Sequence, residues 1–167
     1  IYICYDNEAY MNTGIQGSGL TPMGATTTTT PAGACSFGET HVKKNMFEIM
    51  MAHRIPYCAT ASTSYPNDLV TKVEKAKNTN GPSFIHIMAP CPTGWGFASD
   101  LTVEIGRMAV ECGMWSLMEY QDGKVTVNKF ADKPKDVTPY LKAQRRFSHL
   151  NEEQIALITA QRDKELA

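Results

Sequence analysis

Ile1-Tyr2-Ile3-Cys4-Tyr5, followed by Asp6-Asn7-Glu8-Ala9-Tyr10-Met11-Asn12-Thr13-Gly14, is the stretch that decides the fold. The first five residues predict a buried strand, and the polar run behind them a loop leaving its C-terminal end. In open α/β sheets that edge is where ligands bind. An Asn amide oxygen and a backbone carbonyl two residues on can supply two ligands to magnesium, which takes hard oxygen donors and shares them with substrate phosphates. Asp, Asn and Gly also build plain turns after strands, so residue types alone leave both readings open.

Outward from this stretch, short β-rich runs alternate with helical periodicity, the pattern of an α/β fold with a mostly parallel sheet flanked by helices. Asn7–Gly38, with its glycines, two prolines and the tract Thr26–Thr30, reads as a long loop, and loops of that length are usually functional. Glu39–His53 predicts a helix whose stripe is Val42, Met46, Ile49, Met50 and His53. Strands are predicted at Tyr57–Ala61 and Ser83–Ala89, with a helix over Asn67–Lys77 and the turn Asn80-Gly81-Pro82 between them. Pro90–Trp95 reads as a loop. Ser99 is placed to cap a helix carrying Ile105, Met108, Ala109 and Cys112 on one face, closed by Gly113. A hairpin follows, Leu117–Tyr120 and Lys124–Asn128 around an Asp-Gly turn. Helices over Pro139–Phe147 and from Asn151, capped with Gln154, complete the chain. The division expected is residues 1–130 as a cofactor domain and 131–167 as a helical arm, packed on another subunit, covering an edge, or simply solvated.

With 167 residues, 16 basic and 17 acidic, the chain is one domain's worth of polypeptide without the charge signature of a nucleic-acid binder. It has no apolar run of about 20 residues and no signal-peptide pattern. Five scattered cysteines without a C-x-x-C pair fit a reduced, cytoplasmic setting, with no nucleic-acid or membrane partner expected. A strand at the first residue predicts further polypeptide upstream.

The Asp6–Gly14 run closely resembles the second half of the thiamine diphosphate motif in 2-oxoacid:ferredoxin oxidoreductases, of the pyruvate synthase type with a separate β subunit. Gly14-Ile15-Gln16, Ala25 to Gly33, Tyr57–Ala61, Ala89-Pro90-Cys91-Pro92-Thr93-Gly94-Trp95, Tyr140–Gln144 and Arg146-Phe147 agree in order. The resemblance covers nearly the whole chain. It implies the thiamine diphosphate-binding fold and oxidative decarboxylation of pyruvate, with coenzyme A taking the acyl group and electrons passing to ferredoxin. It implies that Asn7 offers its side-chain oxygen and Ala9 its carbonyl to Mg2+ on the cofactor's diphosphate, with Glu8 and Tyr10 among the cofactor contacts. Glu8 either faces the site or makes a structural hydrogen bond. Asn12 and Thr13 fall near the thiazolium ring and the 2-oxoacid, in catalytic positions. Gly17 stands where relatives often carry a basic residue, which leaves a phosphate or coenzyme A contact there unsupported. The family's other magnesium ligand, an Asp in a Gly-Asp-Gly segment, is not in this sequence. The chain therefore reads as a fragment or as one separately encoded piece, active only with other subunits, and the strand-first opening favours the fragment.

A lone cysteine is ordinarily a small core hydrophobe. By the resemblance, however, Cys91 is the fourth thiolate of a [4Fe-4S] cluster whose other ligands lie outside this chain. Cys4, Cys58 and Cys112 read as core filling and Cys35 as incidental. His53 and His86 read as satisfied core histidines, His41 and His149 as surface residues. Related branched-chain, oxalate and aryl-glyoxylate enzymes share much of the loop. A non-redox thiamine-dependent decarboxylase would need Asn7 and Ala9 but not Cys91, and a non-catalytic assembly subunit would need neither.

Overall fold

A computed structural model describes residues 1–129 and 133–167. Its main sheet has five strands in the order β1 (Tyr2–Asp6), β5 (Ser83–Met88), β4 (Tyr57–Ser62), β6 (Leu117–Gln121), β7 (Lys124–Lys129). β1, β5 and β4 run parallel, while β6 and β7 add an antiparallel hairpin beside β4. A separate two-residue ribbon, β2 (Ala32–Gly33) with β3 (Ser36–Phe37), closes the long loop after β1. Every residue of β4 and β5 is buried, as expected of parallel strands covered on both faces.

One face carries α2 (Pro66–Asn78), which packs Leu69, Val73 and Ala76 on Tyr57, Ala59, Ile85 and Ile87. The other carries α1 (Met46–Ala52) over Cys58 and Phe84, and α4 (Thr102–Glu111) with the larger core around Trp95, Ile105, Ala109 and Leu117. After β5, Pro92–Trp95 forms a one-turn helix, α3, and Ser99–Leu101 a 3-10 turn leading into α4. α5 (Thr138–Lys142), a 3-10 turn at Arg145–Phe147 and α6 (Glu152–Leu166) complete the chain.

Several expectations change. β1, foreseen as a buried strand, is exposed along most of its length, with only Asp6 buried. The helix foreseen over Glu39–His53 starts only at Met46, because the preceding segment is drawn across the sheet edge. There the Lys44 N–H donates to the Gly19 carbonyl and the Lys43 ammonium reaches two buried carboxylates. Its buried residue is Phe47, whereas Val42, Ile49 and His53 are exposed. The helix foreseen over Pro139–Phe147 breaks at Gln144, whose extended backbone separates α5 from the 3-10 turn. Tyr140, Leu141, Phe147, Ile155 and Ile158 belong to the same core as Trp95 and Val110, so residues of the C-terminal helices pack on this chain's own core. The boundary expected between residues 130 and 131 lies outside the described residues.

Where the chemistry of single residues decides, sequence and structure agree. Asp122 and Gly123 both take positive φ, as a two-residue hairpin turn requires. Asn151 and Gln154 form a reciprocal capping box at the start of α6. No helix among the described residues is long and apolar enough to cross a membrane.

Candidate cofactor site

β1, β4 and β5 all end at one edge of the sheet, at Asp6, Ser62 and Met88. Because β1 and β5 are paired neighbours, the loop after one lies beside the loop after the other, and the Ala89 N–H donates to the Asp6 carbonyl at 2.9 Å. The sheet thus brings together the two most informative stretches of sequence, Asp6–Gly14 and Cys91–Trp95. Trp95, fully buried, fastens them directly: its indole N–H donates to the Asn7 carbonyl at 2.8 Å.

Burial alternates along the first loop. Asp6 and Glu8 point inward, Asn7 and Ala9 are half-buried, and Tyr10 is exposed. The inward acids form a balanced ionic network. Lys43 Nζ lies 2.7 Å from Asp6 Oδ2 and 2.6 Å from Glu8 Oε1, His86 Nε2 lies 2.9 Å from Asp6 Oδ2, and Arg146 donates to Glu8 Oε2 at 2.6 Å. Burial penalises the Asp6 carboxylate, but the charge of Lys43 and the His86 hydrogen bond outweigh this and hold its pKa down at about 2. Burial likewise penalises the Lys43 ammonium, yet Glu8 and Asp6 keep its pKa above the ordinary lysine value. Both carboxylate oxygens of Glu8 are therefore committed to cations of this chain. Of the two roles the sequence left open for Glu8, these contacts fit the structural one.

Glu8 turns inward because its backbone is left-handed, with φ of 67°, a conformation unusual for a residue with a side chain. Its N–H donates to Asp6 Oδ1 at 2.8 Å and its carbonyl accepts from Thr21 Oγ1 at 2.7 Å. Its neighbours Asn7 and Ala9, both half-buried, each keep a hard oxygen donor little used within the chain. Asn7 Oδ1 accepts only a long 3.4 Å bond from the Ala9 N–H, and among the described residues no hydrogen bond reaches the Ala9 carbonyl. This donor set fits a share of a magnesium shell, one amide and one backbone oxygen, with the remaining positions left to phosphate, water or other polypeptide. No group of three His, Cys, Asp or Glu residues able to hold a metal occurs among the described residues.

Asn12 and Thr13 lie exposed at the tip of a small loop whose base is the Tyr10–Gln16 bridge. Gln16 holds that tip, receiving the Thr13 hydroxyl at 2.6 Å and donating to the Thr13 carbonyl at 2.6 Å. The threonine tract braces the loop from behind. Thr28 bonds the carbonyls of Gly14 and Ile15, and Thr29 Oγ1 accepts from the Gly17 N–H. A Cβ on Gly17 would lie 3.2 Å from Thr29 Oγ1 and 3.3 Å from Thr27 Oγ1, which is why a larger side chain there would disturb the brace.

Cys91 caps α3: its half-buried sulfur accepts from the Gly94 N–H at 3.4 Å. That is a thiol with a backbone donor already aimed at it, the kind of hydrogen bond that tunes a ligating sulfur. All five cysteines are free, and burial raises the thiol pKa of Cys58 to about 12. His86 is a satisfied core residue, as expected, between Asp6 and the Trp115 ring. Sequence reasoning missed the pairing of Lys43 and Arg146 with the inward acids. Lys43 sits in a segment with helical periodicity, and Arg146 lies 138 residues from the acid it pairs with.

The sequence model of the family described as "Thiamine pyrophosphate enzyme, C-terminal TPP binding domain" matches residues 1–87. The pyruvate synthase subunit PorB of Methanothermobacter thermautotrophicus is 60% identical over 158 residues, covering 95% of this chain and 55% of that protein. The ketoisovalerate oxidoreductase subunit VorB of Pyrococcus abyssi is 50% identical over 160 residues, covering 95% of this chain and 51% of that protein. The chain spans about half the length of these curated relatives. Among solved structures, 2-oxoglutarate:ferredoxin oxidoreductase from Magnetococcus marinus with 2-oxoglutarate, coenzyme A and succinyl-CoA bound superposes with a TM-score of 0.50. It is 27% identical, over 55% of this chain and 30% of that one.

Proposed function

The chain belongs to the thiamine pyrophosphate enzyme family, by its C-terminal TPP-binding domain, and from that premise we propose that it is the β-subunit portion of a pyruvate:ferredoxin oxidoreductase. The complex converts pyruvate and coenzyme A to acetyl-CoA and CO2 with electrons to ferredoxin, or runs the reverse synthesis, in the cytoplasm and with other subunits of the same enzyme. The observation that carries this reading is the 2.8 Å bond from the Trp95 indole to the Asn7 carbonyl, which fastens the loop of the diphosphate motif to the turn that bears Cys91.

In this reading Asn7 Oδ1 and the Ala9 carbonyl hold Mg2+ against the cofactor's diphosphate, and Tyr10 flanks the cofactor. Thiamine diphosphate supplies the electron sink that lets a 2-oxoacid lose CO2. Asn12 contributes an amide donor and Thr13 a hydroxyl at the loop tip, where they orient the 2-oxoacid and stabilise charge developing on its carbonyl oxygen. Cys91 contributes one thiolate to a [4Fe-4S] cluster, with the Gly94 N–H bonded to that sulfur. Glu8 is left out of the cofactor contacts, because Lys43 and Arg146 occupy its carboxylate.

The test uses the anaerobically purified complex. Thiamine diphosphate should bind in a magnesium-dependent way, Asn7→Ala should abolish that binding, and Cys91→Ala should lower the iron content. Full thiamine diphosphate binding by the Asn7→Ala complex would overturn the assignment, iron unchanged in the Cys91→Ala complex would overturn Cys91 as a cluster ligand, and a parent complex without iron would favour a non-redox thiamine-dependent decarboxylase. The 50% identity to ketoisovalerate oxidoreductase subunits supports a second reading, a branched-chain 2-oxoacid as substrate. A screen of 2-oxoacids with coenzyme A and a viologen dye, including oxalate and aryl-glyoxylates, separates the two.

A further inference from the structure

The Asn7–Ala9 turn is held from behind by groups that come from distant parts of the chain, and that arrangement points to a role beyond packing. Glu8 is fixed at each of its polar groups: N–H to Asp6, carbonyl to Thr21, and one carboxylate oxygen each to Lys43 and Arg146. Left-handed backbone at a residue with a side chain is unfavourable and persists only where its surroundings over-determine it. Two of those four contacts come from cations. Arg146 is the wider hub. Its guanidinium carbon lies 3.8 Å from the Trp95 ring centroid, its Nε donates to Gln144 at 2.9 Å, and its carbonyl accepts from the Thr26 N–H at 2.9 Å. One side chain therefore touches the turn with the oxygen donors and the helix that starts at Cys91, while its backbone holds the threonine brace.

We propose that Arg146 and Lys43 are positioning residues for the metal-binding turn: by gripping the two oxygens of Glu8 they lock its left-handed backbone and so present Asn7 Oδ1 and the Ala9 carbonyl together on the open side. The inference rests on the cofactor reading given above. It adds that affinity for the metal depends on two cations that touch neither the metal nor the diphosphate. A turn left free to rotate at Glu8 would keep both donor atoms but lose their common aim.

The experiment measures, in the assembled complex stripped of cofactor, the magnesium concentration that half-saturates thiamine diphosphate binding. Arg146→Met and Lys43→Met are each expected to raise it about tenfold or more, with full binding recovered at high magnesium. Arg146→Lys, which keeps the charge but not the fork, should fall between them and the parent. Glu8→Gln should shift it in the same direction, and it carries the test where an Arg146 or Lys43 variant does not assemble. Asn7→Ala should abolish binding at any magnesium concentration. Half-saturation within about twofold of the parent in the assembled variants, even with a lowered melting temperature, would overturn the inference and leave Arg146 and Lys43 as structural residues. Unchanged binding in Asn7→Ala would instead overturn the cofactor reading itself.

Discussion

Trp95→Phe tests the join between the two loops without touching any proposed ligand. The substitution removes the indole N–H that donates to the Asn7 carbonyl at 2.8 Å. A buried acceptor left without its donor costs about 1–3 kcal/mol, and the lower end applies because Asn7 is only half-buried. Trp95 is fully buried, so the smaller ring also leaves a void, worth about 1–2 kcal/mol at this size of truncation. A weaker ring beneath the Arg146 guanidinium removes about another 0.5 kcal/mol. The sum is about 3 kcal/mol. For a chain of this length each kcal/mol moves the thermal midpoint by roughly 2–4 °C, so calorimetry should show a drop of about 6–12 °C. A drop below about 2 °C would refute the reasoning, because it would mean that the loops are held together by something other than this side chain.

Asp6→Asn should show its effect as a pH dependence. The folded-state pKa of Asp6 is depressed to about 2, so its ionic contribution is intact above the ordinary carboxylate pKa and is lost as pH falls toward 2. The parent should exceed the variant by roughly 2 kcal/mol at pH 7 and match it near pH 2 in urea unfolding; a pH-independent difference contradicts this. Cys58, whose thiol is buried and pushed up to about 12, should resist iodoacetamide at pH 8 until the protein is unfolded, and rapid native labelling read by mass spectrometry would contradict the packing. Gly106→Ala should lower stability by about 1–3 kcal/mol, since a Cβ there would overlap the Ser64 hydroxyl across the contact between α4 and the loop after β4. Adding Ser64→Gly should recover much of that loss, and an equal loss in the double variant would argue against the contact.

The chain's punctuation and its apolar runs were legible in the sequence. The runs at Tyr57–Ala61 and Ser83–Ala89 are strands because parallel strands buried on both faces need continuous apolar residues. Asp122-Gly123 and Asn151 with Gln154 do by local chemistry what they do in any chain. Periodicity misled at Val42, since the pull of Lys43 toward Asp6 and Glu8 straightens the segment that a helix would otherwise claim, and at Ile49 and His53, which lie in α1 and at its C-cap but are exposed. The inward turn of Glu8 could not be read ahead, because the sign of φ at a non-glycine residue is set by the partners around it. Those partners, Lys43, Thr21 and Arg146, are brought to Glu8 only by the fold. Cys91 was visible as a residue but not as a helix cap, because a single turn of four residues leaves no periodicity to detect.

The most direct measurement is an anaerobic crystal structure of the assembled protein with thiamine diphosphate and magnesium. Asn7 Oδ1 and the Ala9 carbonyl oxygen should both lie about 2.1 Å from one octahedral ion that also touches the diphosphate. An ion on the diphosphate with both of those oxygens more than about 4 Å away would contradict the assignment.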